Sequence, residues 1–271
     1  MGIRAKLLYH GSMSIPMNAI NRALPEDSPD RYTAPVTSML VDMGNGEYLL
    51  YDTGMSAQTY GPNGRVALWR QRKFPFASPG TTGDYTPEKA LSELGICQRE
   101  VRYVVLSHMH WDHAGCVDCF PNAEFYAGEN EIIDVLKEYV ERVSSRFTWA
   151  STDAWIRNRS QWHLIGDGVE TLNIAPDIQI CNFGPGHSSA MLGMKLTLPE
   201  TGVVLAVEDC CYTEEAYRNG WLPGAVYDLD GWRSTISRIR GIEQNEKALV
   251  VFGHDPDQFR RLYQDGKHWL T

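Results

Sequence analysis

Short runs of apolar residues that suit β-strands recur along the chain. Apolar residues fill both sides of Asn45-Gly46 within residues 36–52, and this dipeptide accepts the positive φ angles of a tight turn. The stretch therefore predicts two antiparallel strands joined as a hairpin. A nearly all-apolar run, typical of a strand buried between two layers, follows at 102–107, and 248–252 is another buried strand. Further strand-like segments lie at 178–183, 191–198 and 203–207.

Other segments place apolar residues at helical spacing. Residues 87–94 begin with Pro87 and stop at Gly95, residue types favoured at a helix start and just past a helix end. Residues 129–143 predict an amphipathic helix, and its stripe is Ile132, Ile133, Leu136, Tyr139, Val140 and Val143. A further helix is expected at 231–242. Strands that alternate with helices favour the α/β class, with sheets covered by helices, over an all-β sandwich.

Composition and charge exclude several classes of protein. The 271 residues are 43% hydrophobic and no linker or repeat divides them, so we expect one domain over residues 1–271, with 65–87 as a surface insertion. The 34 acidic and 25 basic residues are scattered, which gives a net charge of −9 and no basic stripe for nucleic acid. No apolar run approaches the roughly 20 residues of a membrane helix, and the N-terminus lacks a secretion signal, so we expect no membrane partner and a cytoplasmic location.

The six cysteines are too sparse for a disulfide framework, and we expect them to be reduced thiols. Cys116 and Cys119 have the spacing of a zinc knuckle. Because no second pair of this spacing completes four ligands, the sequence does not favour a separate metal site there.

The strongest chemical signal is the segment HMHWDH at 108–113, directly after the predicted strand at 102–107. Three imidazoles and one carboxylate, from His108, His110, Asp112 and His113, lie close together in a chain with eight histidines. Buried without a metal to satisfy them, such groups would destabilise the fold. Imidazole nitrogen and carboxylate oxygen are ligands that zinc prefers, so the segment predicts a metal site. The alternative is a solvated polar turn.

Further metal ligands are expected where other strands end, because one loop cannot complete two metal sites. His187 lies in a sharp Gly-Pro-Gly-His loop after the apolar run at 178–183. Asp209 follows the run at 203–207, where its carboxylate could bridge two ions, and His254 follows the run at 249–252. Each of these residues is ambiguous alone, but the strand-then-ligand arrangement repeats along the chain.

The ordered motifs HxHxDH, PGH, a strand-terminal Asp and FGH resemble the metallo-β-lactamase superfamily over nearly the full chain. Within it, the segments LYDTGM (50–55), LSHMHWDHAG (106–115), DCCYT (209–213) and FGHD (252–255) are similar to the N-acyl homoserine lactonases, which are quorum-quenching enzymes. The resemblance implies an αββα sandwich, in which two mixed β-sheets pack face to face with helices on the outer faces. Met191 departs from the pattern, because these lactonases usually carry a second histidine there.

The resemblance also implies two Zn²⁺ ions per chain, each held by one group of ligands: His108, His110 and His187 for one, and Asp112, His113 and His254 for the other. Asp209 would bridge the ions. Cobalt, manganese or iron could replace zinc, since such ligand sets accept them.

Two more residues receive roles from the resemblance. Asp52 would accept the second ring N–H of a ligand imidazole, and its alternative role is that of a strand-end cap or turn residue. Tyr212 would direct its phenol at the carbonyl of the substrate, and its alternative role is that of a half-buried packing residue.

The expected function is hydrolysis of a lactone ring by a hydroxide that bridges the two metals, with N-acyl homoserine lactones opened to N-acyl homoserines. Two close metal ions lower the pKa of a shared water towards ~7, so no nucleophilic side chain is required, and no GxSxG motif is present. Asp112 would carry the proton to the leaving alkoxide. The expected partner is this small-molecule substrate, and the chain is expected to be a monomer or a homodimer.

Other functions remain open at this point. The same fold could hydrolyse another lactone such as a pyridoxolactone, a thioester or a β-lactam. A redox protein of the flavodiiron type would resemble HxExDH, with a carboxylate where His110 stands. A binding module with a degenerate site would lack one of the ligands.

Two aromatic-rich regions are candidates for the groove that binds the acyl chain. One is the segment 69–76, which begins with Trp69, and the other contains Phe147, Trp149, Trp155 and Trp162. The alternative for any one of these side chains is core packing or a subunit contact.

Overall fold

Two β-sheets form the centre of the protein. The computed structural model describes residues 2–27, 29–56, 78–79, 85–143, 147, 149–157, 160–266 and 268–271. Its strands are β1 (Arg4–Pro16), β2 (Arg31–Asp42), β3 (Tyr48–Tyr51), β4 (Ser78–Pro79), β5 (Val101–Val105), β6 (Glu124–Gly128), β7 (Gln161–Ile165), β8 (Thr171–Ala175), β9 (Ile178–Gly184), β10 (Met191–Leu198), β11 (Gly202–Glu208) and β12 (Leu249–Phe252). Its α-helices are α1 (Met17–Ile20), α2 (Pro87–Glu93), α3 (Glu129–Glu141), α4 (Trp149–Arg157), α5 (Glu214–Asn219), α6 (Leu229–Glu246) and α7 (Pro256–Tyr263).

Both sheets mix parallel and antiparallel pairs. The first has the strand order β4-β1-β2-β3-β5-β6-β7, and the second has the order β12-β11-β10-β9-β8. In the first sheet β3, β5, β6 and β7 run parallel, whereas β1 to β3 pair antiparallel. In the second, β11 and β12 run parallel and the other pairs are antiparallel.

The sheets pack face to face, and helices cover their outer faces. One buried cluster joins Met39 and Leu49 of the first sheet to Ile180, Met194 and Ala206 of the second. A second cluster packs α6 on the second sheet, and a third packs α2 and α3 on the first. The layers are therefore helix, sheet, sheet, helix, which confirms the predicted αββα sandwich.

The predicted hairpin is present, with a longer connection than expected. Strands β2 and β3 pair antiparallel with Met39 opposite Tyr51, and residues 43–47 connect them. Positive φ angles occur at Gly44 (77°) and Gly46 (87°) but not at Asn45. The Asn45-Gly46 pair is therefore not the two-residue turn itself, and glycines carry the left-handed conformations.

The helix predicted at 129–143 exists as α3, but much of its predicted stripe faces solvent. Ile132 and Val135 are buried against the first sheet together with Glu131. Ile133 is 54% exposed and Val140 is 77% exposed. The amphipathic helix predicted at 129–143 is therefore present, but its apolar stripe is only partly covered, because a spacing pattern shows which residues share a helix face but not which face packs.

Other predicted segments differ in their boundaries or lie outside the described residues. The strand predicted at 102–107 is β5, in which Arg102 is exposed and Tyr103 is half-buried. Most of the surface insertion predicted at 65–87, and the whole aromatic segment 69–76, lie outside the described residues. None of the helices that the structure describes has the length and apolar character required to span a membrane.

Candidate metal centre

Strand ends from both sheets bring the predicted ligands to one place. The loop that carries His108, His110 and His113 follows β5 of the first sheet. In the second sheet, His187 follows β9 and Asp209 follows β11 directly. His254 comes two residues after β12. Because the loops after strand ends are held by a rigid scaffold, side chains distant in sequence meet there.

Asp209 lies between two sets of imidazoles. Its Oδ2 atom is 3.1 Å from Nε2 of His187 and 3.8 Å from Nε2 of His108. Its Oδ1 atom is 3.0 Å from Nε2 of His254 and 3.3 Å from Nε2 of His113. Each carboxylate oxygen therefore faces a different pair of histidines, which is the arrangement that a bridging ligand requires.

Two groups of potential metal ligands meet at Asp209. The first is His108, His110, His187 and Asp209, and the second is Asp112, His113 and His254. In the first, Nδ1 of His110 is 3.0 Å from Nε2 of His187. In the second, Oδ2 of Asp112 is 3.5 Å from Nε2 of His113 and 3.6 Å from Nε2 of His254. All seven predicted ligand side chains thus lie in these two groups.

The donor atoms of these groups suit metal ions. In a tetrahedral zinc site with bonds of about 2 Å, neighbouring ligand atoms lie about 3.3 Å apart, close to the separations seen here. Nε2 of His108, Nε2 of His113 and Oδ1 of Asp209 are buried without a hydrogen-bond partner among the described residues. Because unsatisfied buried polar atoms are costly, this density of them fits residues that hold metal ions.

Burial and neighbouring charges shift the pKa values of His108 and Asp209 in the directions that favour metal binding. Burial lowers the pKa of His108 well below its ordinary value, and the nearby imidazoles of His113 and His110 lower it further. Burial acts to raise the pKa of Asp209, yet the imidazoles of His254 and His113 hold it well below its ordinary range. A neutral imidazole and an ionised carboxylate are the forms that bind metals.

Asp52 fixes the orientation of the loop that carries His108, His110 and His113. Its Oδ2 accepts hydrogen bonds from Nδ1 of His113 and from Oγ of Ser107, both at 2.7 Å, and its Oδ1 accepts from the Ser107 backbone N–H at 2.7 Å. Asp52 has a φ of 65°, and Glu208, beside Asp209, has a φ of 43°. These left-handed conformations are strained for residues other than glycine, and they occur where two strands deliver their carboxyl groups to the centre.

The chain is similar in sequence to proteins of the metallo-β-lactamase superfamily. A model of the metallo-β-lactamase superfamily matches residues 78–131. The N-acyl homoserine lactonases AiiB of Agrobacterium fabrum and of Rhizobium rhizogenes are each 32% identical to the chain over 272 residues, which covers 97% of this chain and 97% of each relative. The chain belongs to the N-acyl homoserine lactonase family of the metallo-β-lactamase superfamily. It is a hydrolase of the lactonase class.

A solved structure has the same fold as this chain. An N-acyl homoserine lactone hydrolase with the product N-hexanoyl-L-homoserine bound at its catalytic metal centre superposes with a TM-score of 0.78. The two proteins are 21% identical, and the match covers 96% of this chain and 97% of that one. At this identity the likeness concerns the fold.

Tyr212 lies beside the candidate metal ligands of this lactonase-family chain. Its hydroxyl is 3.3 Å from Nδ1 of His187, whose other neighbour is the Ala225 carbonyl oxygen at 3.2 Å. Nε2 of His187 faces Asp209, so Nδ1 carries the ring proton and donates it towards both oxygens. The phenol proton of Tyr212 is then available to another acceptor.

Two buried carboxyl groups belong to the surroundings of the centre but were not identified from the sequence. Glu131 on α3 accepts hydrogen bonds from the Met109 backbone N–H (3.0 Å), from the Ser188 hydroxyl (2.7 Å), and from the backbone N–H (3.1 Å) and hydroxyl (2.7 Å) of Ser189. It therefore ties the 108–113 loop to the loop of His187. Oε2 of Glu208 lies 3.9 Å from Nδ1 of His113, and burial, with the nearby Asp52 carboxylate, raises the Glu208 pKa to about 8. A glutamate in the first turn of a predicted helix was the available signal for Glu131.

The aromatic residues predicted to line the acyl-chain groove differ in whether they lie next to the centre. The Phe147 ring lies 5.9 Å from the His110 ring, measured between centroids, which places it next to the centre. Trp162 stacks on Phe125 at 4.8 Å and contacts Trp155 at 5.2 Å, so both tryptophans fill the core beneath the helices. Trp149 belongs to α4.

The contacts of Met191 and of the pair Cys116 and Cys119 indicate packing rather than metal binding. Met191 is fully buried in the cluster between α6 and the second sheet, where an apolar side chain packs without a polar partner. The Cys116 thiol donates to the Met55 carbonyl oxygen at 3.2 Å. Among the described residues, neither Cys116 nor Cys119 belongs to a group of potential metal ligands.

Proposed function

We propose that this chain opens the lactone ring of N-acyl homoserine lactones to give N-acyl homoserines, with two divalent cations, zinc by preference, at the centre around Asp209. One observation carries the proposal: the two oxygens of Asp209 face two separate groups of buried ligands. A carboxylate in this position can hold two cations close together. The names of the 32% identical relatives and the product in the similar structure support the choice of substrate.

The seven side chains, Asp209 among them, would hold the two cations as the two groups described above. When bound, such cations supply Lewis acidity and lower the pKa of water towards ~7, so the reaction needs no nucleophilic side chain. In the overall reaction, water adds to the lactone carbonyl carbon and the bond from that carbon to the ring oxygen breaks. One proton of the water ends on the released hydroxyl group.

Two side chains of the protein have direct roles in this reaction. We assign the Tyr212 hydroxyl, which lies 3.3 Å from Nδ1 of His187, to stabilise negative charge on the carbonyl oxygen. Asp112 lies at the second group of ligands and is the carboxylate that we assign to carry the proton to the leaving oxygen. Asp52 and Glu131 are positioning residues, since they contact ligands or their loops rather than the space between them.

We place this activity in the cytoplasm, because the described cysteines are free thiols and suit a reducing compartment. The substrate enters as a small molecule.

The proposal is tested by measuring metal content and then following proton release at constant pH. The substrates are N-hexanoyl and N-decanoyl homoserine lactone, a simple γ-lactone, a thioester and a β-lactam. We expect two zinc equivalents per chain and the highest kcat/KM with an acyl homoserine lactone. Asp209→Asn should abolish both metal binding and turnover, whereas Asp177→Asn, an exposed aspartate elsewhere, should change neither. Preference for the thioester or β-lactam would overturn the substrate assignment, and bound iron with flavin-dependent turnover would make the chain a redox protein.

A further inference from the structure

Cys116 and Cys119 lie at the two ends of one tight turn. The short 3₁₀-helix Val117–Cys119 follows Cys116, and the Cys119 backbone N–H donates to the Cys116 carbonyl oxygen at 3.1 Å. Three residues at the roughly 2.0 Å rise of such a helix separate the two Cα atoms by about 6 Å. Disulfide bonds usually join Cα atoms that are about 4.4–6.8 Å apart. This turn can therefore carry a disulfide with little movement of the backbone.

The thiols of this pair already face each other. Both cysteines are free, and the Cys119 thiol interacts with the Cys116 thiol and with the Glu88 carboxyl group of α2. Hydrogen bonding with Cys116 is the main reason that the pKa of the Cys119 thiol is raised, and burial adds to it. Because the two sulfur atoms lie within hydrogen-bonding reach, a bond between them requires only small side-chain rotations.

The two sulfur atoms differ in their access to solvent. Cys119 is half-buried, whereas Cys116 is 2% exposed. A small oxidant therefore reaches Cys119 first, and Cys116 is the second thiol, which resolves the oxidised one. The raised pKa of Cys119 leaves little thiolate at neutral pH, so we expect a slow oxidation that follows sustained rather than brief exposure.

We propose that Cys116 and Cys119 are a site of reversible oxidation, at which hydrogen peroxide closes a disulfide. In the first step the Cys119 thiolate attacks the peroxide, an S–O bond forms and the O–O bond breaks, and the hydroxide that leaves takes up the proton lost by the thiol. In the second step the Cys116 sulfur attacks the Cys119 sulfur, the S–S bond forms and the S–O bond breaks, and the Cys116 proton leaves with the hydroxyl group as water. The two thiols lose two electrons, and the peroxide is reduced to two molecules of water. A dithiol reverses the reaction by thiol–disulfide exchange.

Close backbone packing joins this turn to residues 52–55. The Gly115 N–H donates to the Gly54 carbonyl oxygen at 2.9 Å. A Cβ atom on Gly115 would lie 2.6 Å from that oxygen and 2.6 Å from the Trp111 carbonyl oxygen. Because the two backbones are in direct contact, a shift of the turn also shifts residues 52–55.

The same residues carry the carboxylate that orients His113. The Cys116 backbone N–H donates to Oγ1 of Thr53 at 3.1 Å, and its thiol donates to the carbonyl oxygen of the buried Met55 at 3.2 Å. A disulfide has no S–H group, so the Met55 carbonyl loses this donor. Asp52, at the start of the segment, accepts the Nδ1 hydrogen of His113. We therefore expect oxidation to weaken the binding of the cation that His113 would hold, an effect that rests on the metal centre proposed above.

The disulfide is tested by peptide mass spectrometry on the metal-loaded full-length chain after hours in millimolar hydrogen peroxide. Trypsin cuts after Lys and Arg, so residues 103–137 form one peptide that contains both cysteines of the turn and no other cysteine. We expect this peptide to lose two hydrogens and to resist alkylation until a phosphine reductant restores it. Cys119→Ser should prevent the change, whereas Cys97→Ser, which removes an exposed cysteine elsewhere, should leave it intact.

Competition with a chromophoric chelator tests the coupling between the turn and the centre. After treatment with peroxide, the wild type should hold one cation roughly tenfold more weakly than Cys119→Ser does, at the lower end of the effect of losing an orienting partner. The phosphine reductant should abolish the difference. The mass of the 103–137 peptide depends on neither metal nor substrate, so the disulfide stands or falls separately from the proposed function.

Three results would overturn this inference. The first is a 103–137 peptide that keeps two alkylatable thiols under conditions that oxidise the exposed Cys97. The second is conversion of Cys119 to an acid that the reductant does not reverse. The third is a disulfide with equal chelator curves for the treated wild type and the treated Cys119→Ser variant, which would disprove the coupling to the centre.

Discussion

The carboxylate of Asp52 accepts the Nδ1 hydrogen of His113 at 2.7 Å, while Nε2 of the same ring lies 3.3 Å from Oδ1 of Asp209. Both nitrogens of this imidazole are therefore held in place, and Nε2 faces the centre. Asp52 belongs to the end of β3 in the first sheet and Asp209 to the end of β11 in the second. A single histidine thus links the two sheets at the position where the ligands meet.

Asp52→Asn should weaken the binding of the cation that His113 would hold. An asparagine can direct an amide N–H at Nδ1, which would favour the wrong tautomer of His113. Loss of such an orienting partner typically costs 10- to 100-fold in metal affinity. Competition with a chromophoric chelator should show this loss for one of the two metal equivalents. Asp177→Asn serves as the control, and an unchanged affinity in Asp52→Asn would contradict the orienting role.

Glu131→Gln should destabilise the protein and disturb the first ligand group. The amide N–H group of glutamine would meet donors from Met109, Ser188 or Ser189 where a carboxylate oxygen accepts them now. We expect a loss of about 2 kcal/mol in the free energy of unfolding, the cost of a buried unsatisfied group. Urea denaturation measures it, and Glu93→Gln, on the exposed side of α2, is the control. Equal midpoints for the two variants would remove Glu131 from its role.

The side chains predicted as metal ligands lie together in the structure, because several form a local cluster in the sequence and the others repeat one arrangement at strand ends. His108, His110 and His113 are adjacent in sequence, so their convergence needs no knowledge of the fold. Glu131 could not be found in this way, since its partners lie 22, 57 and 58 residues away. The contact depends on how α3 packs across the first sheet, and only the fold determines that.

Strand β1 shows a different limit of sequence interpretation. It is the longest strand described, yet the buried residues Lys6, His10 and Ser12 interrupt its apolar pattern. Lys6 is satisfied by the His268 carbonyl oxygen and His10 by Ser38, partners that only the folded chain provides. A polar residue with a distant partner therefore has the same sequence signal as a surface residue.

Removal of the metals should lower the thermal stability of the fold. Buried nitrogen and oxygen atoms at the centre lack other partners, so the metal-free protein retains an unsatisfied cluster. Cations present at about 1,000 times their dissociation constant stabilise by about 4 kcal/mol, which corresponds to roughly 10 °C in Tm. Calorimetry before and after dialysis against a chelator measures the change, and added zinc should restore Tm. In Asp209→Asn the chelator should have no effect, and an equal shift in that variant would contradict the assignment.

Tyr212→Phe should keep both metals and lose activity. The phenol lies 3.3 Å from Nδ1 of His187, whereas Nε2 of that ring faces Asp209, so we expect its removal to leave the metal content intact. Loss of one donor to a developing oxyanion costs about ten- to a thousandfold in kcat. The control is Tyr48→Phe, at the end of β3 opposite to Asp52. Full activity with an acyl homoserine lactone in Tyr212→Phe would remove this residue from the reaction.

His10 should make the stability of the protein depend on pH. The ring is completely buried, with Nδ1 2.9 Å from the Tyr85 carbonyl oxygen and Nε2 2.7 Å from the Ser38 hydroxyl. A carbonyl only accepts, so Nδ1 carries the proton and Nε2 accepts from Ser38, which describes a neutral imidazole. The ring also packs on Gly54, where an added Cβ would lie 2.5 Å from it. Burial lowers the pKa of His10 to about 4.

The sign of this dependence follows from linkage. The unfolded chain has a histidine pKa of about 6.5, so as pH falls below that value it binds a proton that the folded chain does not. The stability from His10 is complete above pH 6.5 and is lost between about pH 6.5 and 4, at up to about 1.4 kcal/mol per pH unit. His10→Gln cannot titrate, so the difference in unfolding free energy between wild type and variant should shrink from pH 7.5 to pH 5. Loss of metal at low pH affects both proteins and cancels in this difference. A constant difference across that range would show that His10 is protonated in the folded chain as readily as in the unfolded one.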